Sequence, residues 1–241
     1  LMVMIVGSFP TLKNLSAKTI LFLVLSGLST GASWLCYFRA LQKGNINKVV
    51  PIDKSSTVLT IILATIFLGE SITLYKTLGI IAIGLGTLMM IEKKDTENKT
   101  EEKGWLFYAI LSAVFASLTS ILGKVGIEGV ESNLGTAIRT VVVIVMSFVM
   151  VSVTGKVKDI KRIDKKELAF ILLSGLSTGA SWLFYYRALQ DGEASIVVPI
   201  DKLSILVTIA FSYFVFKEKL GKKALIGLVL IVMGTLVLLI K

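Results

Sequence analysis

The chain has 241 residues, of which 54% are hydrophobic and only 17% are charged, and its mean hydropathy is +0.83. Soluble domains carry about 25% charged residues, so this composition excludes an ordinary soluble domain and predicts a protein whose solvent is lipid. The formal net charge of +10 lies mainly in the gaps between apolar stretches, where membrane proteins keep their lysines, so it does not indicate nucleic-acid binding.

The sequence contains no histidine and a single cysteine, Cys36, inside an apolar stretch. Histidine is the commonest metal ligand, so neither a zinc site nor a haem is expected. Cys36 has no intrachain partner and is interpreted as packing or lipid-facing. The sequence also lacks a Walker loop, a nucleophile elbow and a glycine-rich dinucleotide turn, so we predict neither an enzyme nor a cofactor.

Taken in chain order, the first apolar segment is Leu1–Gly7, which amounts to about 10 Å of helix and is interpreted as the end of a truncated span. Eight later segments are long enough to cross a hydrocarbon core of about 30 Å. They are Thr19–Gln42, Val49–Gly69, Leu74–Ile91, Trp105–Gly123, Leu134–Thr154, Leu168–Gln190, Ile196–Phe216 and Ala224–Ile240.

Residues 92–103 read EKKDTENKTEEK, which is polar throughout and has no apolar periodicity. Such a segment is typical of a hydrated connector. We therefore predict three parts: a first membrane unit at residues 1–91, a linker at residues 92–103 and a second membrane unit at residues 104–241.

The two membrane units are copies of one another. LSGLSTGASWLCYFRALQ at residues 25–42 recurs as LSGLSTGASWLFYYRALQ at residues 173–190, with differences only at Cys36/Phe184 and Phe38/Tyr186. VVPIDK at residues 49–54 returns at residues 197–202 in the same register. The chain is therefore a tandem duplication, and residues 148 positions apart are repeat mates.

The second copy holds five spans and the first holds three and the truncated segment, so about one and a half helices are missing in front. The predicted fold is an all-α integral membrane protein, a ten-span bundle of two five-helix repeats. An odd number of spans per copy turns the second copy upside down relative to the first. Loop charges agree, because six basic residues crowd residues 156–166 whereas the matching loop of the first copy offers Lys13 and Lys18.

The five-span repeat, the small residues of its third span, the proline near the start of its fourth span and the Gly69-Glu70 that ends that span resemble the EamA-type drug/metabolite transporter superfamily. The resemblance covers essentially the whole chain. It implies a multi-pass protein of the cytoplasmic membrane that moves amino acids, drugs or other small metabolites, with export favoured. It also implies a central cavity lined by the third and fourth spans of each repeat and by the first.

Aromatic residues lie deep in the third span of each copy. Trp34 is about 12 Å from Gln42 along the helix, near the expected bilayer midplane. Trp34 and Tyr37 share one helix face, as do Trp182 and Tyr185, and each face could stack on a planar substrate. Ordinary packing between helices is the alternative.

Small and hydroxyl residues also recur in the spans. Gly27 and Gly31 follow the small-xxx-small spacing that lets membrane helices approach closely, and so do Gly175 and Gly179. The hydroxyl groups expected either to line a cavity or to bond to their own helix are those of Thr30, Ser56, Thr119, Thr178 and Ser204.

The charged residues that cost most inside a membrane are the pairs Asp53-Lys54 and Asp201-Lys202, each just after a proline. We predict that they act in gating or coupling from opposite sides of the midplane. Because adjacent helical residues diverge, each is expected to find a partner elsewhere, with Arg39 and Arg187 as candidates. A purely structural ion pair is the alternative.

Two further charged positions stand out. Arg139 lies within a span, where it would either snorkel outward or face the cavity and attract a carboxylate. Glu70 and its repeat mate Glu218 end their spans, where capping or loop pairing is expected.

The favoured interpretation is a secondary transporter that binds a small amphipathic metabolite and couples its movement to partner or proton exchange at Asp53 and Asp201. The alternatives are a membrane scaffold without a substrate and a flippase for a lipid-linked metabolite. The expected partners are a small molecule, the bilayer and protons, and a homodimer is one possible assembly.

Overall fold

The structure is a computed structural model that describes residues 15–44, 46–90, 104–157, 163–217 and 221–240. The predicted end of a span at Leu1–Gly7, the linker at residues 92–103 and Glu218 lie outside these ranges. The helices in the described part are α1 (Ala17–Lys43), α2 (Ile46–Lys54), α3 (Ser56–Leu68), α4 (Leu74–Met89), α5 (Trp105–Gly126), α6 (Ser132–Val153), α7 (Lys165–Asp191), α8 (Ala194–Lys202), α9 (Ser204–Phe211) and α10 (Lys222–Val237), with a π-helical turn at Ser212–Phe216.

Within the described residues, five segments are long and apolar enough to cross a membrane. They are Ala17–Lys43, Trp105–Gly126, Ser132–Val153, Lys165–Asp191 and Ala194–Val215, and α4 is a shorter apolar helix. Each of the eight segments predicted from the sequence corresponds to one helix or to a pair of consecutive helices. The prediction of an all-helical membrane protein is therefore confirmed.

The fourth span of each copy is broken, although we predicted it as continuous. The break falls at Ser55 between α2 and α3, and at its repeat mate Leu203 between α8 and α9. At each break the amide donates to the carbonyl three residues earlier, at 3.1 Å for Ser55 and 3.0 Å for Leu203. A proline lies four residues before each break. Because a proline removes the hydrogen bond to the carbonyl four residues before it, it weakens the first turns of α2 and α8 and does not by itself account for the breaks.

The described helices form two compact units. The first contains residues 15–31 together with the described part of 122–191, and the second contains the described parts of residues 32–121 and 192–240. Each unit draws on both sequence copies. The helices α1 and α5 contribute residues to both units.

Within the second unit, α4 packs along α10 through facing glycines. A Cβ on Gly86 would lie 2.5 Å from the Gly227 carbonyl oxygen, and a Cβ on Gly227 would lie 2.5 Å from the Gly86 carbonyl oxygen. Gly79 and Gly234 repeat this mutual contact at 2.9 Å. Because lipid offers no hydrophobic drive for helix association, close backbone approach at small residues is what holds such a pair together.

Within the first unit, the glycines of α1 also lie against a neighbouring helix. A Cβ on Gly27 would lie 2.9 Å from the Val142 Cβ, and one on Gly31 would lie 2.2 Å from the Met146 sulfur. The predicted close approach of helices is thus confirmed for this copy. Their repeat mates Gly175 and Gly179 differ, because no heavy atom of the described residues comes within 4 Å of a Cβ built at either one.

Candidate functional site

Arg139 is the largest fully buried side chain of the described structure, with 0% of its surface exposed. Its Nε donates to Ser26 Oγ at 2.8 Å, and its Nη2 donates to Thr30 Oγ1 at 2.8 Å. The guanidinium carbon lies 4.0 Å from the centre of the Tyr186 ring and 5.2 Å from the centre of the Trp182 ring. We call Arg139, Ser26, Thr30, Trp182 and Tyr186 the arginine box.

Two kinds of interaction offset the cost of burying this cation. Desolvation of a charge in a protein interior costs several kcal/mol, and arginine stays protonated there. Cation–π contact with a desolvated aromatic ring returns about 2 kcal/mol or more. The two hydroxyl groups accept from Nε and Nη2, but Nη1 has no hydrogen-bond partner although it is buried.

Glycines allow the helices to come this close around Arg139. A Cβ on Gly123 of α5 would lie 2.7 Å from Cε1 of Tyr186 and 3.2 Å from Ser26 Oγ. A Cβ on Gly27 of α1 would lie 3.0 Å from the Arg139 carbonyl oxygen. Any side chain at either position would push a wall of the arginine box away from the guanidinium.

Three residues singled out from the sequence thus meet in one place: Arg139, Thr30 and Trp182. Ser26 and Tyr186 were not predicted from the sequence. Tyr186, which is only 1% exposed, lies one turn after Trp182, and its ring meets that of Tyr185 edge-on at 5.2 Å. The sequence did contain a signal for Tyr186. Position 186 is one of only two differences between residues 25–42 and residues 173–190, and its repeat mate is Phe38.

The second unit contains the other group of charged side chains. Lys54 interacts electrostatically with Asp53, Asp201 and Lys202, so the two Asp-Lys pairs share one environment. Lys202 Nζ lies 3.9 Å from the carboxylate of the adjacent Asp201. We call Asp53, Lys54, Asp201 and Lys202 the charged cluster.

The helices α3 and α8 pack against one another, and the end of α3 lies at the start of α8, where Glu70 accepts from Ala194 and Ser195. The start of α3 therefore lies near the end of α8, and Lys54 is within electrostatic range of Asp201 and Lys202. That the two pairs act from opposite sides of the midplane stays a prediction. Adjacent residues were expected not to pair, yet the long side chain of Lys202 at the end of its helix folds back to Asp201.

The opposite end of the α3–α8 pair is held by Glu70. Its carboxylate accepts from the amides of Ala194 at 2.7 Å and Ser195 at 3.0 Å, which are the first two residues of α8. A carboxylate on the exposed amides of a helix N-terminus is stabilised by both hydrogen bonding and the helix dipole. The predicted capping role of Glu70 is confirmed. Beside it, Glu193 pairs with Lys76 of α4 at 2.5 Å.

Asp53 is connected to α5 through Ser112. Ser112 Oγ donates to Asp53 Oδ1 at 2.7 Å, and Ser33 Oγ donates to the Ser112 carbonyl oxygen at 3.0 Å. Ser33 and Ser112 are buried and neither was singled out from the sequence. A hydrogen bond from a neutral hydroxyl to a carboxylate stabilises the ionised form.

The predicted partners of the Asp-Lys pairs bond within their own helices. Arg39 Nη1 donates to Gln42 at 3.1 Å, and Arg187 Nε pairs with Asp191 at 2.8 Å. Both arginines are exposed, and the structure connects Asp53 to Ser112. The expectation that Arg39 or Arg187 pairs with these aspartates is therefore wrong in this conformation, because each finds an acceptor within one turn of its own helix.

The aromatic faces of the two copies belong to different units. In the second unit, Trp34 is 43% exposed, whereas Tyr37 packs on the buried cluster of Ala40, Val49 and Ala109. In the first unit, Trp182 and Tyr185 lie beside Tyr186. That both faces line one site stays a prediction.

The remaining hydroxyl groups have mixed surroundings. Thr119 Oγ1 donates to the carbonyl of Phe115 in its own helix at 2.9 Å. Ser56 is buried at the start of α3, whereas Thr178 and Ser204 are exposed. A role for these four side chains in binding stays a prediction.

Buried charge, broken spans and glycine-mediated packing define a polytopic membrane protein. The EamA-like transporter family matches residues 1–92 and 103–240. The chain belongs to this family, which is a family of transporters and not of enzymes.

Similarity to individual proteins agrees with the family. An uncharacterized transporter from Sinorhizobium is 42% identical over 136 residues, which are 56% of this chain and 96% of that protein. An S-adenosylmethionine uptake transporter of Rickettsia felis is 26% identical over 88% of this chain and 69% of its own length. A solved structure titled only as the crystal structure of a protein shares the fold with a TM-score of 0.67, at 12% identity over 91% of this chain and 86% of that one.

Proposed function

We propose that this protein is a secondary transporter of small metabolites that works by alternating access in the cytoplasmic membrane. In this proposal the units at residues 1–91 and 104–241 are inverted five-span repeats of a ten-span bundle, joined by the linker at residues 92–103. The substrates are amino acids or amphipathic compounds of similar size. Protons are the coupling ions.

The charged cluster is the observation that carries the proposal. Four ionisable side chains share one environment at the point where the fourth span of each copy breaks. Charged residues inside a membrane are costly and are mostly found along ion and substrate pathways. Broken helices near the midplane are the usual construction of sites in transporters built from repeats. Asp53 and Asp201 are therefore the groups we assign to gating and coupling.

The chemistry of the substrate is supported by the arginine box and by the relatives. A buried cation beside aromatic rings suits a ligand that combines a carboxylate with an apolar or planar group. S-adenosylmethionine, which relatives from Rickettsia are named for taking up, has both features and belongs in the assay. Resemblance favours export and these relatives are named for uptake, so flux must be measured in both directions.

The test is flux of radiolabelled amino acids, cationic drugs and S-adenosylmethionine in proteoliposomes of the full-length protein, with and without a pH gradient. The variants are Asp53→Asn and Asp201→Asn, which keep shape and remove charge. The matched control is Asp191→Asn, an exposed aspartate outside the charged cluster. We expect gradient-dependent flux in the wild type and in the control, and loss of about tenfold or more in each cluster variant.

Two results would contradict the proposal. Absence of flux for every solute would favour the scaffold or flippase interpretation, and binding of lipid-linked metabolites would separate these two. Full gradient-dependent flux in the double variant Asp53→Asn/Asp201→Asn would show that the charged cluster has no role in coupling. Melting temperatures of all variants must match that of the wild type, so that loss of flux is not loss of fold.

A further inference from the structure

Arg139 has a donor that the described residues do not use. Nε and Nη2 donate to Ser26 and Thr30, whereas Nη1 is buried and has no hydrogen-bond partner among the described residues. Buried polar atoms of side chains are almost always paired, and an unpaired donor on a charged group is more costly than one on a neutral group. This nitrogen therefore needs an acceptor that the described residues do not supply.

The described residues also supply no carboxylate as a counter-ion for Arg139. In the described part of the chain, the titratable groups whose charges act on the guanidinium are the phenols of Tyr186 and Tyr185, and no carboxylate is among them. Cation–π contact with Tyr186 and Trp182 lowers the cost of burial but does not neutralise the charge. Charged residues inside spans are mostly paired or mark substrate and ion pathways, which makes Arg139 a candidate site for an anionic ligand.

Charge balance and geometry narrow the class of anion. The guanidinium and one carboxylate neutralise each other, whereas a doubly charged phosphate would leave excess negative charge beside Arg139. The planar guanidinium suits the two oxygens of a carboxylate, and Nη1 is the donor left for it. Trp182, which is half-buried next to Arg139, offers an aromatic surface to the rest of the ligand.

We propose that Arg139 binds the carboxylate of the transported substrate through Nη1, so that the substrates are metabolites that carry a carboxylate group. This inference rests on the proposed function, because it names the substrate class of that transporter. Nη1 exposes less than 1 Å² in this conformation, so the carboxylate enters in a conformation in which a helix of the box has moved. The serine and threonine of the box hold the guanidinium in place when no ligand is bound.

The test compares acids with their decarboxylated amines, so that the ligands differ only in the group that Arg139 would bind. Leucine is compared with isoamylamine, and phenylalanine with phenethylamine. The protein contains three tryptophans, and the double variant Trp34→Phe/Trp105→Phe leaves Trp182 as the fluorescent reporter beside Arg139. Binding is titrated with the purified full-length protein in detergent, which requires no flux.

We expect the acids to bind at least about tenfold more tightly than the amines, and this difference to disappear in Arg139→Gln. Lys18→Gln, which removes an exposed lysine at the start of α1, should keep the difference. If Arg139→Gln does not fold, Arg139→Lys keeps the charge but loses the planar fork, and the acids should then bind several-fold more weakly. The acid–amine comparison in the unsubstituted site needs no variant at all.

Equal binding of acids and amines to the unsubstituted site would overturn the inference. So would an unchanged preference for acids in folded Arg139→Gln, or competition by phosphate and sulfate as strong as by carboxylates. The proposed function fails separately: gradient-dependent flux without acid preference would leave the transporter standing and refute the carboxylate site. Acid-selective binding without any flux would support the site and refute transport.

Discussion

The ammonium group of Lys76 and the carboxylate of Glu193 form an ion pair of unequal burial, with 8% of the lysine side chain exposed and 47% of the glutamate side chain exposed. Removing the glutamate therefore strands a buried cation, whereas removing the lysine leaves a carboxylate that water can reach. The two single variants should differ although they break the same contact.

We predict that Glu193→Gln lowers the free energy of unfolding by roughly 1–3 kcal/mol, less than a fully buried pair would cost because the carboxylate is half-exposed. Lys76→Met should cost less, and the double variant should recover part of the Glu193→Gln loss. Thermal unfolding of the purified protein in detergent measures this. Disruption of the exposed pair Arg187–Asp191 by Asp191→Asn is the control, with an expected change below about 1 kcal/mol.

Glu70 should control the order of the first turn of α8. Glu70→Ala removes the acceptor from the amides of Ala194 and Ser195, so their hydrogen exchange should become faster and stability should fall by about 1–2 kcal/mol. Glu70→Gln keeps an acceptor without the charge, so its exchange rates and its stability should lie between those of the wild type and Glu70→Ala. Glu128→Ala, at an exposed glutamate, should leave exchange in α8 unchanged. Unaltered protection in Glu70→Ala would mean that the cap contributes nothing.

The contact between α4 and α10 offers a test with a built-in control. Gly86→Ala puts a methyl group where the Gly227 carbonyl oxygen would be 2.5 Å away, so the helices must separate. Overpacking of this kind costs about 1–3 kcal/mol and should lower the melting temperature. Gly84→Ala is the same substitution on the same helix, with the nearest atom at 3.8 Å, and should be neutral or stabilising. Equal melting temperatures for the two variants would rule out close packing at Gly86.

If Asp53 takes part in coupling, its hydrogen-bond partner Ser112 should also affect gradient-dependent flux. Ser112→Ala removes the hydroxyl that donates to Asp53, and a hydrogen bond to a charged group is worth about 1.5–3 kcal/mol. We expect roughly a tenfold change in gradient-dependent flux with little loss of fold. Ser117 lies one and a half turns further along α5 and donates only within its helix, to Val114, so Ser117→Ala should keep full flux. Equal flux in Ser112→Ala and Ser117→Ala would show that Ser112 has no part in coupling.

The sequence was sufficient to predict the helical spans, because apolar length is a local property. The repeat at residues 25–42 and 173–190 also pointed to Trp182, and the cost of intramembrane charge pointed to Arg139 and the charged cluster. The glycine spacing of α1 predicted its close packing correctly.

The pairing of side chains could not be predicted in the same way, because it depends on how helices pack side by side. Asp53 was expected to find Arg39, but the neighbour that reaches it is Ser112 on α5. Tyr186 was overlooked because spacing along a helix selects a face without saying which neighbour that face meets. The breaks at Ser55 and Leu203 were not predicted, because each lies one turn after its proline and a proline weakens the turn before it.

The glycines of α4 and α10 also constrain how this duplicated gene can change. Each of the two backbones fits into the space left by the missing side chain of the facing glycine, since a Cβ on Gly86 would meet Gly227 and a Cβ on Gly227 would meet Gly86. A substitution in one copy is therefore felt by the other, whatever its own local sequence allows. Elsewhere the copies are free to diverge, as Phe38 and Tyr186 have done, but along this contact the two halves must evolve together.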